Sequence, residues 1–192
     1  MPPLRLGLFG GTFDPPHLGH LIVAQDVVEA LGLDRLLFVP AGLPPHKTDR
    51  TISPAPLRLE MVRRIISGNE TFGVSEVEVG RGGPSYTVDT LRHYRDLHPE
   101  AEIFFVLGAD QATAFDTWQE PERVASLATL VVMARAGAGV PAGEFASVPV
   151  TRVDISATEI RRRVLEDRSI RYLVPEGVRK IIDTNRLYRT ES

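Results

Sequence analysis

The run Leu4-Arg5-Leu6-Gly7-Leu8-Phe9-Gly10-Gly11-Thr12-Phe13-Asp14-Pro15-Pro16-His17-Leu18-Gly19-His20 carries the reading of the whole chain. Leu4 to Phe9 is a short apolar stretch ended by two glycines, the pattern of a buried first strand. Glycines at the end of a strand let the backbone turn sharply and present N–H groups to an anion. Asp14-Pro15-Pro16 stiffens the approach to His17, and Leu18 to Leu31 predicts a helix stopped by Gly32. Within that helix Leu21, Ile22, Val28 and Leu31 are the side chains offered to a core. Strand, glycine turn and helix in this order form the opening unit of a parallel sheet.

The rest of the chain continues the alternation. Arg35 to Pro40 reads as a second strand, and residues 41–56, rich in proline, as a loop. Leu57 to Ile66 predicts a helix with Met61, Val62, Ile65 and Ile66 on its apolar side. Phe72 to Val79 alternates as a strand near an edge. Ser85 to Leu97 predicts a helix with Ser85 or Thr87 as its N-cap and Asp89 in the first turn. Ile103 to Leu107 is the most strand-like run and ends in Gly108-Ala109-Asp110. Glu120 to Leu127 follows as a short helix, then Thr129 to Ala134 as a buried strand, and 136–149 as a surface loop. Ser156 to Leu165 and Glu176 to Ile182 are terminal helices. The fold class is therefore α/β: a Rossmann-like, doubly wound, mainly parallel sheet with helices on both faces. One domain is expected over 1–192, with a C-terminal helical part from about 156. In such sheets ligands bind beyond the carboxyl ends of the strands where strand order reverses. If the first and fourth strands are neighbours there, both glycine turns face one crevice.

Composition narrows the function. The chain has 192 residues, 43% apolar and 24% charged, with 22 Lys+Arg against 25 Asp+Glu and a net charge of −3. That balance gives no general attraction to nucleic acid or to an anionic membrane, so any anion site must be local. The absence of cysteine excludes disulfides, thiol nucleophiles and cysteine-held metals. No stretch approaches the ~20 apolar residues of a membrane span, and the first residues lack a signal-peptide core. A cytoplasmic protein is expected.

Four constellations carry chemistry. His17 and His20, three apart on a helix start, converge on one face, with Gly19 removing bulk beside them. Two imidazoles there can donate hydrogen bonds to phosphate, and do so more strongly when protonated. They also read as helix-start histidines, or as two zinc ligands lacking a placeable third. The run matches neither the dinucleotide fingerprint nor a Walker loop. Ser156 and Glu159 spell a capping box, and the same helix start with Thr158 and Arg161 equally spells a phosphate site. Lys47 on the turn Pro44-Pro45-His46-Lys47 suits either solvent or a phosphate. Gly83-Pro84-Ser85-Tyr86-Thr87 with Trp118 could hold a flat polar ring, while a single tryptophan more often belongs to the core. Gly80 to Gly83 imitates an RNA-binding loop in the wrong fold context. Arg161, Arg162, Arg163, Arg168 and Arg171 read as a solvated helix face. No serine-protease-like set and no acidic metal cage are spelled out.

Together the four pieces resemble the nucleotidyltransferase superfamily marked by an H-x-G-H motif and a later [ST]-x-x-R helix. Their wording is similar to that of the bacterial nicotinate-nucleotide adenylyltransferases. The matching pieces are 10–20, 44–47, 83–87, Gly108-Ala109-Asp110, Trp118, 155–161 and Tyr172-Leu173-Val174-Pro175, in order through nearly the whole chain. The resemblance implies transfer of AMP from ATP to nicotinate mononucleotide, giving nicotinate adenine dinucleotide and pyrophosphate. Mg2+ is the implied cofactor, carried by the ATP phosphates with no metal ligand in the protein. The substrate's own phosphate would attack in line, so catalysis would consist of orientation and charge stabilisation.

By the same resemblance, His17, His20 and Arg161 are catalytic, His20 nearest the α-phosphate. Gly10, Gly11, Thr12, Gly108, Asp110, Ser156 and Thr158 bind ATP, with Gly108 and Asp110 positioning its ribose or the metal. Lys47, Tyr86, Thr87, Trp118 and Arg135 bind the mononucleotide. The family's Arg-Pro-Gly after the fifth strand is Arg135-Ala136-Gly137 here. Phosphopantetheine adenylyltransferase is the rival enzyme; it typically has Thr in place of His17 and lacks the 83–87 and tryptophan pieces. A preference for the amide mononucleotide, or a non-catalytic nucleotide-binding module, are the other readings.

Overall fold

The computed structural model describes residues 2–43, 52–135 and 145–189, with the side chain of Arg135 left aside. Six strands form one sheet: β1 (Arg5–Gly11), β2 (Arg35–Pro40), β3 (Phe72–Val74), β4 (Glu102–Gly108), β5 (Thr129–Arg135) and β6 (Ala146–Val150). Their order is β3-β2-β1-β4-β5-β6, and every pairing is parallel. The doubly wound sheet expected from the alternation is what forms. Strand order reverses between β1 and β4, so the glycine turns after both strands do face one crevice.

Side-chain alternation builds the two layers. In β4, Ile103, Phe105 and Leu107 enter one apolar cluster and Phe104 and Val106 the other. The first cluster is completed by α4 (Thr87–Leu97) and α6 (Pro121–Leu127), through Val88, Leu91, Val124 and Leu127. The second is completed by α1 (Leu18–Leu31), α2 (Ala55–Ile65), α7 (Ala157–Leu165) and α8 (Glu176–Thr184). Met61, Val62, Ile160, Val178 and Ile182 are fully enclosed there. Both faces of the sheet are thus dry, as a parallel sheet requires. No helix of the described residues is long and apolar enough to cross a membrane.

Several expectations change. Phe72–Val79 is not one strand: pairing stops at Val74, and α3 (Val77–Arg81) follows. The Ser75 side chain accepts the Val77 N–H at 3.3 Å, turning the chain. Glu78 then becomes buried where strand alternation would expose it. Residues 146–149 are strand, not loop; Pro149 is tolerated because β6 lies at the sheet edge, where one side of the backbone needs no partner. The rest of that expected loop, 136–144, lies outside the described residues. A short helix α5 (Ala109–Thr113) and a 3₁₀ turn (Phe115–Thr117) occupy ground read as connection. Helix α4 has Tyr86 as N-cap with no side-chain bond, neither Ser85 nor Thr87 serving. In α1 the buried residues are Gly19, Ala24 and Val27, while Ile22 is exposed. The helix is apolar nearly all round, so periodicity alone could not choose its face.

One buried cation organises the loops above the sheet. Arg58, on α2, is 1% exposed. Its Nε donates to the Ser53 carbonyl (2.9 Å), Nη1 to Thr12 (2.8 Å) and Nη2 to Gly42 (2.8 Å). Burial lowers its pKa, and the nearby Asp14, Tyr188 and Glu78 oppose that shift. Arg58→Met would leave three carbonyls without their donor and two acids without their cation. It is expected to lower the free energy of unfolding by about 3–5 kcal/mol, measured by urea denaturation; a loss below ~1 kcal/mol would contradict this role.

Candidate active site

A cavity of about 940 Å³ opens over the carboxyl ends of β1, β4 and β5. Of the residues singled out from sequence, Gly10, Gly11, Thr12, His17, His20, Tyr86, Thr87, Gly108, Asp110 and Trp118 all line it. One wall is the turn after β1 and the start of α1. The opposite wall is the turn after β4, with Trp118 and the residues leading into α4. The switch point between β1 and β4 brings these walls together, although nearly one hundred residues separate them in sequence.

The histidine wall is built by backbone geometry. His17 is extended at φ −145°, as an N-cap should be, and α1 begins at Leu18. The His17 N–H donates to His20 Nδ1 at 3.1 Å, so a neutral His20 carries its proton on Nε2. The two rings lie 3.8 Å apart between centroids, tilted by 34°. A Cβ on Gly19 would stand 3.0 Å from His17 Nδ1, which explains the glycine between the histidines. Phe13, held at φ 51° in the left-handed region, sets its ring edge-on to His20 at 5.1 Å. Such a backbone costs a non-glycine residue about 1–3 kcal/mol and survives only where packing enforces it; here Phe9 and Phe38 flank the ring.

Burial decides the charge of this wall. His17 is 7% exposed, and desolvation pushes its pKa down to about 4. His20 is held well below the ordinary histidine range by burial, and further by His17 beside it. Burial thus favours the neutral form of both rings at pH 7. His17 Nδ1 is buried with no hydrogen-bond partner among the described residues. A polar atom left in that state is unusual in a folded chain.

The opposite wall rests on a buried acid, Glu78. Thr90 Oγ1 donates to Glu78 Oε1 at 2.7 Å. Burial pushes the Glu78 pKa up, opposed by hydrogen bonds from Thr90 and Ser85 and by Arg81 and Arg58. Ser85 Oγ accepts the Gly42 N–H at 2.8 Å, and the Ser85 N–H donates to the Leu43 carbonyl at 3.0 Å. The turn before α4 is thereby zipped to the segment after β2. A Cβ on Gly42 would stand 2.4 Å from the Glu78 carbonyl oxygen, so only glycine allows that approach. Trp118 is half-buried: it sets its ring edge-on to Phe105 at 6.1 Å and lines the cavity.

The helix start at 156–161 is placed beside the site, and its groups do not line the cavity. Ser156 Oγ accepts the Glu159 N–H at 3.1 Å. The Glu159 carboxylate turns forward to Arg162 and Arg163 and does not close a capping box. Arg161 Nη1 donates to the Asp14 carbonyl at 2.7 Å and Nη2 to Thr158 Oγ1 at 3.0 Å. Both hydroxyls thus accept bonds from within the helix start, and Arg161 is tied to the histidine loop. Lys47 lies outside the described residues, and Arg135 is described only as the end of β5. Sequence reading missed Asp14, Arg58, Glu78 and Tyr188 as determinants of the site. Asp14 stood within the motif and was read as a stiffener; the other three carried no local signal.

The cytidylyltransferase-like family model matches residues 8–163. A protein of Thermus thermophilus named probable nicotinate-nucleotide adenylyltransferase is 50% identical over 188 residues, covering 97% of this chain and 100% of that one. A protein of the same name from Rubrobacter xylanophilus is 43% identical, over 98% of this chain and 94% of its own. Among solved structures, nicotinic acid mononucleotide adenylyltransferase of Plasmodium falciparum complexed with NaAD superposes with a TM-score of 0.79. It covers 96% of this chain and 97% of that one at 17% identity, a likeness of fold. At 40–50% identity over nearly its full length, the chain belongs to the nicotinate-nucleotide adenylyltransferases of the cytidylyltransferase-like family.

Proposed function

We propose that the cavity joins ATP to nicotinate mononucleotide, giving nicotinate adenine dinucleotide and pyrophosphate. The observation that carries this reading is two adjacent imidazoles at a helix start, across one cavity from an aromatic and hydroxyl wall. A phosphate oxygen of the mononucleotide attacks the α-phosphorus of ATP. The bond from that phosphorus to the bridging oxygen breaks, and the electron pair leaves with pyrophosphate. The nucleophile is already ionised near neutral pH, so no base is required and the protein contributes position and charge stabilisation.

His20 Nε2–H and His17 are the donors to the ATP phosphates in this proposal, His20 to the α-phosphate. Neutral imidazoles suit this task because a desolvated donor makes a stronger hydrogen bond than a hydrated one. Arriving negative charge also raises their pKa, so charge on the rings appears only with the ligand. Gly10, Gly11 and Thr12 are assigned to the phosphates, and Ser156, Thr158 and Arg161, at the helix start beside the cavity, to the β- and γ-phosphates. Gly108 and Asp110 take the adenosine ribose. Tyr86, Thr87 and Trp118 hold the pyridine ring, with Lys47 and Arg135 assigned to the mononucleotide phosphate. Mg2+ is proposed to enter as Mg-ATP, carried by the ATP phosphates. When bound, the ion neutralises charge on the departing pyrophosphate. The reaction is placed in the cytoplasm.

Two outcomes test this. With Mg-ATP and either nicotinate mononucleotide, its amide or phosphopantetheine, pyrophosphate release should be fastest with the nicotinate form. Release confined to phosphopantetheine, or absent with all three, would refute the proposal. His20→Ala should lower kcat by at least ~100-fold, the scale of one lost preorganised donor. A near-normal kcat would remove His20 from the transition state.

A further inference from the structure

Asp14 is 2% exposed and sits between the strained Phe13 and the two prolines. Three segments remote in sequence converge on it. The Tyr188 hydroxyl donates to Oδ1 at 2.6 Å, the Ser53 N–H to Oδ2 at 3.3 Å, and Arg161 Nη1 to the backbone carbonyl at 2.7 Å. Tyr188 lies beyond α8, 174 residues away in sequence, and its own backbone is in the left-handed region at φ 63°. An aromatic residue held there is strained, and the contact that holds it is with the loop bearing Thr12 and His17.

We propose that Tyr188 is a positioning residue for the phosphate site, acting through Asp14. Its hydroxyl fixes the rotation of a buried carboxylate whose backbone is bonded to Arg161 and whose neighbour Phe13 braces the His20 ring. Without that hydroxyl, Oδ1 loses the partner the structure gives it, and a buried acceptor in that state rotates or draws in water. Either response displaces Phe13 and the Arg161 contact together. Displacement of about 1 Å in a group that orients substrate can cost a large factor in rate. The C-terminal segment then serves the chemistry without touching substrate.

The inference rests on the ATP-phosphate reading of this loop. Tyr188→Phe keeps the ring and removes only the hydroxyl. It should lower kcat by about 10-fold or more, leave the KM for nicotinate mononucleotide within about 2-fold, and move Tm by only a few degrees. Leu187→Ala, which weakens packing of the same segment without reaching Asp14, should lower Tm while kcat is kept. Combined with Asp14→Asn, the Tyr188→Phe loss should be far less than additive, because the two act as one unit. If Tyr188→Phe does not fold, Asp14→Asn alone must show the fall in kcat at unchanged acceptor KM. Unchanged kcat in Tyr188→Phe, losses that merely follow Tm in both segment variants, or full additivity would overturn the inference while wild-type turnover continued. Wild-type protein inactive with every acceptor would instead overturn the adenylyltransferase reading and this inference with it.

Discussion

A guanidinium removed from water must find its acceptors inside the protein, and Arg58 finds them on the turn after β1 and at both ends of the β2–α2 connection. Thr12, Gly42 and Ser53 each give it a backbone carbonyl. Two of those segments carry the walls of the cavity: Thr12 begins the histidine side, and Gly42 is bonded to Ser85 on the other. The segment at Ser53 reaches Asp14, which in turn holds Tyr188. Any movement of one wall therefore has to be accommodated around a buried charge, where an unsatisfied partner is costly. The sheet supplies a dry floor, and this cation with its acids supplies the geometry above it.

The same economy of water sets the character of the phosphate wall. A surface histidine would be partly protonated near neutrality and hydrated. His17 and His20 are instead desolvated by Phe9, Phe13 and each other, and burial keeps both neutral. Positive charge on these two rings is therefore disfavoured in the absence of an anion. The orphaned Nδ1 of His17 marks where the structure leaves hydrogen-bonding capacity unused.

The parts of this arrangement legible in the sequence were those governed by local rules. Apolar runs ended by glycine located β1 and β4, and helical periodicity located α2 and α4, because strand burial and helix faces follow from neighbours in the chain. The Phe72–Val79 run misled because Glu78 is stabilised by Thr90 and Ser85, which local alternation does not register. Strand β6 was hidden by small residues and Pro149, acceptable only because the tertiary structure places it at an edge. His17, His20 and Trp118 stood out by residue type and spacing. Arg58 and Tyr188 did not: a lone arginine in a helix and a tyrosine near the chain end acquire meaning only from what folding places beside them.

By their burial, His17 and His20 stay neutral until an anion arrives. Imidazole nitrogen NMR of His17 and His20, followed from about pH 5.5 to 8, reads that directly. In the free protein neither ring should titrate across this range, and His20 should show its proton on Nε2. With a non-hydrolysable Mg-ATP analogue both sets of resonances should move, and their titration should shift to higher pH. Histidines that titrate near the ordinary value of about 6.5 in the free protein, or that ignore the nucleotide, would contradict it.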